Sequence, residues 1–325
     1  MSLSIIGTIP NLLVNKDHDN FKISDFNIVN SGFQIDQVHN FGIEKLLGTM
    51  QFKEVISVPC FYLTTDPTDI DEIPDMLSMV RGIFESVLFS FWLVKDNSLH
   101  LNLILGITNS DFLVNRSPRT FTNSEGEYRD IAFSEDEIKE AGNWFNIRKI
   151  NQSSEKKKTH KRQERTLSRV SNVITHTEKN LTLQTRLDRA IRFVLEARGQ
   201  SFLPAKITFY ISALESLLSN SNVELRMQVA DRGSRILGNS FEERVKINEI
   251  ISIAYSFRST YIHGSAKSEK SINKILKPFN NLEGLLSELD DILRRIIKEF
   301  LTDLNHVVNM NDKEFSVWVN ELLYK

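Results

Sequence analysis

An arginine and a histidine near the end of one predicted helix are the residues of this sequence whose types suggest chemistry. Arg258 lies five residues before His263, which stands directly before Gly264. An arginine buried on a helix needs a carboxylate, a partner chain or an anionic ligand to compensate its charge. A histidine at a helix C-terminus is favoured in its protonated form, which brings its titration towards neutral pH.

The helix that carries both residues is predicted over 240–263. Ser240 and Glu243 form a capping box at its start, and Gly264 is a typical stop signal. Arg258 falls in the middle of an apolar stripe, formed by Ile247, Ile250, Ile251, Ala254, Phe257 and Tyr261. Arg258 and His263 are about 140° apart on an ideal helix and do not share one face. In the ordinary structural interpretation, Arg258 pairs with Glu215 and His263 only caps the helix.

Helical periodicity extends from about Leu167 to the end of the chain. Glycines and prolines divide it, with Pro204 opening one helix and Gly238 closing the next. The short connections predict an up-and-down bundle. The predicted helices include apolar stripes at Leu187–Leu195, Ile207–Leu218, Val223–Leu237 and Leu282–Val308.

The first half of the chain predicts a mixed α/β domain, which makes the fold class α+β. Its expected long buried helix is Ile73–Val94, and a Ser134–Glu137 capping box begins a helix expected to end at about Arg148. Apolar runs bounded by turn residues predict strands over Ser4–Ile9, Lys53–Leu63 and Leu99–Ile107. The expected division is a mixed α/β domain over 1–150, a basic linker over 151–166 and a helical bundle over 167–325.

The linker is strongly basic, and the two halves of the chain differ in charge. Residues 1–150 hold 12 Lys or Arg against 21 Asp or Glu, whereas residues 151–325 hold 28 against 21. This asymmetry suggests that the second half meets an anionic partner, although two domains can simply differ. The linker is either a solvated connection or an RNA-backbone contact. The contact residues would be Lys156, Lys157, Lys158, Lys161 and Arg162.

Composition excludes several classes of protein. The chain has 325 residues, of which 41% are hydrophobic and 25% charged, so a wholly disordered or collagen-like chain is excluded. A single cysteine, Cys60, excludes a disulfide scaffold and suits a reducing compartment. The histidines lack metal-ligand spacing, so no metal or cofactor is expected. No apolar stretch is long enough for a membrane span, and the start of the chain reads as a strand, so the expected location is cytoplasmic.

The C-terminal half resembles the HEPN superfamily, in particular its Apea-like branch. The matching segments occur in order and end in Arg-Ser-Thr-Tyr-Ile-His, which resembles the family's Arg-polar-x3-His motif. Ser259 stands where the superfamily most often has Asn or Asp. The resemblance covers roughly the last 150 residues. The earlier segments are Arg186–Arg198, Ala213–Leu218 and Val229–Arg232.

This resemblance implies a metal-independent endoribonuclease whose domains pair so that two motifs face one cleft. RNA supplies its own nucleophile, the 2′-hydroxyl, so the protein needs only acid–base and charge-stabilising groups. By this resemblance His263 exchanges the protons and Arg258 holds the scissile phosphate. Ser259 would be a secondary polar contact. Tyr255 would orient the site or stack on a base, although core packing is the favoured interpretation. Glu215 would buttress Arg258 or Arg232 rather than act as a base.

The expected partners are an RNA substrate, a second copy of the chain, and a regulatory ligand or protein at the N-terminal half. Such proteins often act as bacterial toxins or as anti-phage effectors in abortive infection, which is an analogy at the level of the fold. The alternative is a non-catalytic HEPN dimer that serves as a ligand- or partner-binding regulatory module.

Overall fold

The structure is a computed structural model of the chain, and it divides into two compact units, Met1–Asn146 and Ile147–Lys325. It describes residues 2–14, 20–23, 25–40, 42–66, 72–108, 112–117, 119–159, 184–264 and 268–324. The first unit contains both of the sheets and the second is helical, which confirms the α+β fold class.

The first unit is built on a six-stranded antiparallel sheet. Its strand order is β3-β4-β5-β1-β6-β7, and a separate parallel pair joins β2 to β8. The strands are β1 Leu3–Thr8, β2 Leu12–Val14, β3 Asn20–Ile23, β4 Phe26–Val29, β5 Cys60–Thr65, β6 Leu103–Ile107, β7 Phe112–Arg116 and β8 Ile131–Phe133. The helices are α1 Asp36–Asn40, α2 Ile43–Leu47, α3 Thr49–Ser57, α4 Ile73–Val94 and α5 Glu135–Thr159.

Alternating side chains of the central strands supply two separate cores. Ile5 of β1 belongs to a cluster with α4 and the first part of α5, whereas Ile6 belongs to a cluster with α1, α2 and α3. This alternation is the period of two that an extended strand imposes. Because both faces are covered, the central strands consist almost entirely of buried residues. Phe84 of α4 is fully buried and stacks on Phe61 of β5 at 4.6 Å between ring centroids.

The sequence predicts some of these elements and misplaces others. The first strand and the helix Ile73–Val94 are confirmed, the helix with identical bounds. The strand expected over Lys53–Leu63 is wrong in its first part, which belongs to α3. Its β-branched residues pack as a helix against the sheet, with Val55 fully buried, because tertiary packing overrides local β propensity. The strand expected over Leu99–Ile107 begins only at Leu103.

Helix α5 is longer than its sequence predicts. The capping box is confirmed, since Glu137 N donates to Ser134 Oγ and Ser134 N donates to a Glu137 carboxylate oxygen. The expected end at about Arg148 is wrong, because the helix runs to Thr159. The chain divides after Asn146, so α5 crosses the division and the first part of the basic segment 151–166 is helical. Residues 160–166 lie outside the described residues.

The second unit is a pack of helices around a central one. The central helix is Leu203–Leu218. It contacts four other helices, namely Arg186–Arg198, Leu225–Leu237, Phe241–His263 and Leu282–Leu301. Its apolar stripe is fully buried, as the sequence predicts. The helices are α6 Arg186–Arg198, α7 Leu203–Leu218 (the central one), α8 Leu225–Leu237, α9 Phe241–His263, α10 Glu269–Leu276, α11 Leu282–Leu301 and α12 Asp312–Leu323.

The helical core also contains polar side chains that the apolar periodicity does not reveal. Tyr210 of α7 donates its hydroxyl to Asp290 of α11 at 2.7 Å, and both residues are fully buried. Asp290 also pairs with Arg294 at 3.0 Å. Lys206, fully buried one turn before Tyr210, donates to the carbonyl oxygen of Ala197 at 2.9 Å. These contacts compensate charges that would otherwise be costly to bury.

One helix in the described part of the chain, α4, is long and apolar enough to cross a membrane. More than half of its most apolar window is buried inside the first unit. This is the pattern of a core helix that packs on a sheet, which is how α4 is used here.

Replacing Phe84 with alanine should strongly destabilise the first unit. A fully buried phenylalanine leaves a cavity when it is truncated, so the free energy of unfolding should fall by about 3–5 kcal/mol. Urea unfolding followed by tryptophan fluorescence measures this loss. Met79→Ala is the matched control, because Met79 lies on the same helix with 60% of its surface exposed. Equal unfolding curves for the two variants would contradict the assigned core.

Candidate functional site

Helix α9 positions the motif residues, and both of its ends follow the predicted signals. Ser240 is the N-cap and accepts a hydrogen bond from Glu243 N. Gly264 ends the helix in the left-handed conformation, with φ 64° and ψ 17°. A residue with a side chain adopts this conformation at a cost, so glycine is the residue expected there. His263 is therefore the last residue of the helix, as predicted.

Arg258, Tyr255 and Glu215 form a closed triangle of polar contacts between α7 and α9. The Tyr255 hydroxyl donates to Oε1 of Glu215 at 2.8 Å. Nη1 of Arg258 donates to the Tyr255 hydroxyl oxygen at 3.4 Å, and its Nη2 lies 3.6 Å from Oε2 of Glu215. The guanidinium carbon lies 5.3 Å from the centre of the Tyr255 ring, in the range of a cation–π contact. We call these three residues the Arg258 triangle.

The Arg258 triangle is largely, but not completely, removed from solvent. The side chains of Arg258 and Glu215 are 23% and 16% exposed. Burial, followed by the hydrogen bond to Glu215, raises the pKa of Tyr255 to about 12, so its hydroxyl stays protonated as a donor. The Arg258–Glu215 distance is longer than a hydrogen bond, and Nε of Arg258 is buried with no hydrogen-bond partner among the described residues. Nε is closed off from solvent, so a further acceptor would have to use Nη2, whose distance to Glu215 is too long for a hydrogen bond.

The structure brings together three of the residues singled out from the sequence. Of the three kinds of partner expected for Arg258, the structure shows a carboxylate, that of Glu215. Glu215 does not buttress Arg232, which donates instead to the carbonyl oxygen of Leu218 and to Oδ1 of Asn220. Tyr255 makes both of its hydrogen bonds within the triangle, and its role in orienting the site stays a prediction.

The remaining motif residues lie on the last turns of α9. Ser259 follows Arg258 and is partly buried. The backbone of His263 is described, but its side chain lies outside the described residues. Tyr261, expected in the buried stripe, is 47% exposed and packs edge-on against Phe202. The stripe is fully buried only as far as Ala254.

The candidate RNA-backbone residues of the linker remain predictions. The backbone of Lys156, Lys157 and Lys158 belongs to α5, but their side chains are outside the described residues. Lys161 and Arg162 lie wholly outside the described residues.

A polar groove of about 500 Å³ adjoins the Arg258 triangle, and sequence reasoning missed it. We call it the α6–α7 groove. Glu215 belongs to both, because it also lines this groove. The sequence contains an indication of this groove, because α6 carries arginines and α7 carries serines spaced by three and four residues. The polar residues that line the groove are Arg186, Arg189, Ser212, Glu215, Ser216, Ser219, Asn220, Ser221, Asn222 and Asp312.

In the described part of the chain, no three His, Cys, Asp or Glu side chains are close enough to hold a metal ion. Cys60 is fully buried, and burial raises its pKa to about 12, so its thiolate is suppressed.

No protein-family model matches the chain, and comparison with curated proteins and with solved structures found no similar protein. The chemistry of the site therefore has to be argued from its geometry.

Replacing Tyr255 with phenylalanine should change how stability depends on alkaline pH. The pKa of Tyr255 is about 12 in the folded chain and roughly 10 in an unfolded one, so unfolding releases a proton between these values. Stability is therefore retained below pH of about 10 and lost as pH rises towards about 12. The loss over this interval should be smaller in Tyr255→Phe.

Urea midpoints measured across this pH interval test the expectation. Tyr324→Phe is the control, since Tyr324 belongs to the same unit and is 92% exposed. The same alkaline loss of stability in wild type and Tyr255→Phe would contradict the assigned environment of Tyr255.

Proposed function

We propose that the C-terminal unit is a metal-independent endoribonuclease of the HEPN type. The observation that carries this proposal is the Arg258 triangle. It holds a partly exposed guanidinium with unused donors about one and a half turns before His263, the last residue of the same helix. RNA cleavage by its own 2′-hydroxyl requires at least a fixed cation at the phosphate and a group that exchanges protons near neutral pH.

In this proposal the reaction is a transesterification within the RNA. The 2′-oxygen attacks the adjacent phosphorus, and the bond from phosphorus to the 5′-oxygen of the next nucleotide breaks. His263 takes the 2′-hydroxyl proton or supplies a proton to the leaving 5′-oxygen. The products are a 2′,3′-cyclic phosphate and a 5′-hydroxyl, so no water or oxidant is consumed.

Arg258 binds the scissile phosphate and stabilises the negative charge that develops on its oxygens. Glu215 and Tyr255 are positioning residues, because they hold the guanidinium from the side of α7. Ser259 is a further polar contact next to Arg258. Arg258 and His263 lie about 140° apart on an ideal helix, so we propose that the Arg258 of one copy works beside the His263 of a second copy.

The cellular role that fits this chemistry is that of a toxin or anti-phage effector in the cytoplasm. The acidic N-terminal unit would then sense a ligand or protein and restrain the nuclease. The basic segment with Lys156, Lys157, Lys158, Lys161 and Arg162 would add RNA-backbone contacts.

A second candidate function is favoured by one observation. Arg258 already has a carboxylate partner in Glu215, which is what a structural arginine needs. On this reading the C-terminal unit is a non-catalytic HEPN dimer that captures a ligand or partner protein.

Replacing His263 with alanine should lower RNA cleavage by a factor of about 10²–10⁴, the usual effect of losing a general acid or base. The assay is cleavage of total RNA or tRNA by the full chain in EDTA, with the product ends identified. His306→Ala is the matched control, as His306 is an exposed histidine of the same unit. An unchanged rate in His263→Ala, or cleavage only with added metal, would refute the mechanism.

Replacing Arg258 with alanine separates the two candidate functions. The thermal midpoint should fall in either case, because the largely buried Glu215 loses its compensating charge. If Arg258 is catalytic, the variant keeps the mass of the wild type in light scattering, while RNA turnover measured well below its thermal midpoint falls. If Arg258 serves only assembly or ligand capture, the mass falls as the assembly dissociates and no turnover is lost.

A further inference from the structure

The α6–α7 groove presents a row of hydroxyls along one side of α7. Ser212, Ser216 and Ser219 follow the four- and three-residue spacing that places side chains on one helix face. Each hydroxyl donates to the carbonyl oxygen four residues earlier, at 2.9, 2.8 and 2.6 Å respectively. A serine hydroxyl has a single hydrogen, so these oxygens can only accept hydrogen bonds from a ligand.

The same groove is lined by arginines at its other wall. Arg186 is held firmly, since it donates to the carbonyl oxygen of Ser219 at 2.8 Å and its guanidinium lies 3.7 Å from the centre of the Phe315 ring. Nη1 of Arg189 donates to the carbonyl oxygen of Gln184 at 2.8 Å. Burial, followed by the nearby charge of Arg189, lowers the pKa of Arg186, whereas Asp312 raises it.

The acidic side chains of the groove are already engaged. Asp312 pairs with Arg186 but is 97% exposed, so solvent screens this pair. Glu215 belongs to the Arg258 triangle. Among the described residues, no carboxylate pairs with Arg189, so the uncompensated charge of the groove is positive and lies there. A ligand that fits must bring negative charge for Arg189 and hydrogen-bond donors for the serine row.

We propose that the α6–α7 groove binds a ribonucleotide of the RNA strand, with a backbone phosphate on Arg189 and the ribose 2′-hydroxyl donating to Ser212 or Ser216. A ribonucleotide carries both an anion and a hydroxyl donor, whereas a deoxyribonucleotide lacks the 2′-hydroxyl. The inference rests on the proposed function, because Glu215 lines the groove and also holds Arg258, which places this nucleotide next to the scissile phosphate. The groove would thus distinguish RNA from DNA in binding, in addition to the requirement for a 2′-hydroxyl in the cleavage step.

Fluorescence anisotropy of labelled oligo(rU) and oligo(dU) of equal length tests the groove, since the two probes differ only in the 2′-hydroxyls. The full chain with His263→Ala is used so that the RNA stays intact. Adding Ser212→Ala and Ser216→Ala should reduce the preference for oligo(rU) by about 2- to 10-fold for each hydrogen bond lost. Adding Arg189→Gln should weaken both probes and lower the salt slope by about 0.7.

Two matched controls separate the groove from general effects. Thr208→Val removes a hydroxyl of α7 that makes the same bond to a carbonyl oxygen, at 2.9 Å, but does not line the groove. Arg192→Gln removes an exposed charge of α6 that does not line it either. Both should leave the RNA preference and the salt slope unchanged. Circular dichroism is used to check that each variant is folded. If the double serine variant unfolds, the single variants Ser212→Ala and Ser216→Ala replace it.

The outcomes distinguish this inference from the proposed function. Loss of RNA preference in the serine variants supports the groove even if the wild-type chain fails to cleave RNA in EDTA, which would refute the nuclease alone. Suppose instead that the wild-type chain cleaves RNA, and that the serine variants prefer oligo(rU) over oligo(dU) as strongly as Thr208→Val does. This result would refute RNA binding in the groove but not the nuclease. The inference is also overturned if the His263→Ala chain, with its groove unchanged, binds oligo(rU) and oligo(dU) equally or binds neither.

Discussion

The positive charge of Arg258 must be compensated inside the second unit, and this requirement constrains how α7 and α9 pack. Arg258 lies in the apolar stripe of its helix, and a guanidinium cannot be buried there without a partner. Glu215 provides the opposite charge from α7, the central helix, and Tyr255 joins the two through its hydroxyl. These contacts fix the last turns of α9 against α7, and so fix where the helix end that bears His263 is presented. They also place Glu215 at the border between the Arg258 triangle and the α6–α7 groove.

The sequence was most informative where local signals and packing agree. Ile73–Val94 is apolar over 22 residues and is buried as a helix with those bounds, and the end of α9 follows from Gly264. It was least informative where a short apolar run fits two structures. The run Lys53–Leu63 contains β-branched residues, yet its first part is helical because the second face of the sheet needs a cover. In α5, no glycine or proline follows Arg148 within the basic segment, and the helix continues to Thr159.

For the site, sequence reasoning identified the residues but not all of their relations. The ion pair of Arg258 and Glu215 was foreseen as an alternative, because a buried charge has few physical options. The partners of Arg232 were not foreseen, since they are a backbone carbonyl oxygen and an amide of a loop that no periodicity describes. The groove was missed for a related reason. A cavity depends on which faces of α6 and α7 meet, and that information is carried by the whole helical pack.

The buried pair of Tyr210 and Asp290 limits how the helices of the second unit can move. If α11 slid along α7 by one helical turn, about 5.4 Å, the hydroxyl and the carboxylate would separate inside the core. Asp290 would keep Arg294 of its own helix, but the hydrogen bond from Tyr210 would be lost inside the core, so other registers of α11 against α7 are disfavoured. A response of this unit to a signal would therefore have to leave the alignment of α7 and α11 unchanged.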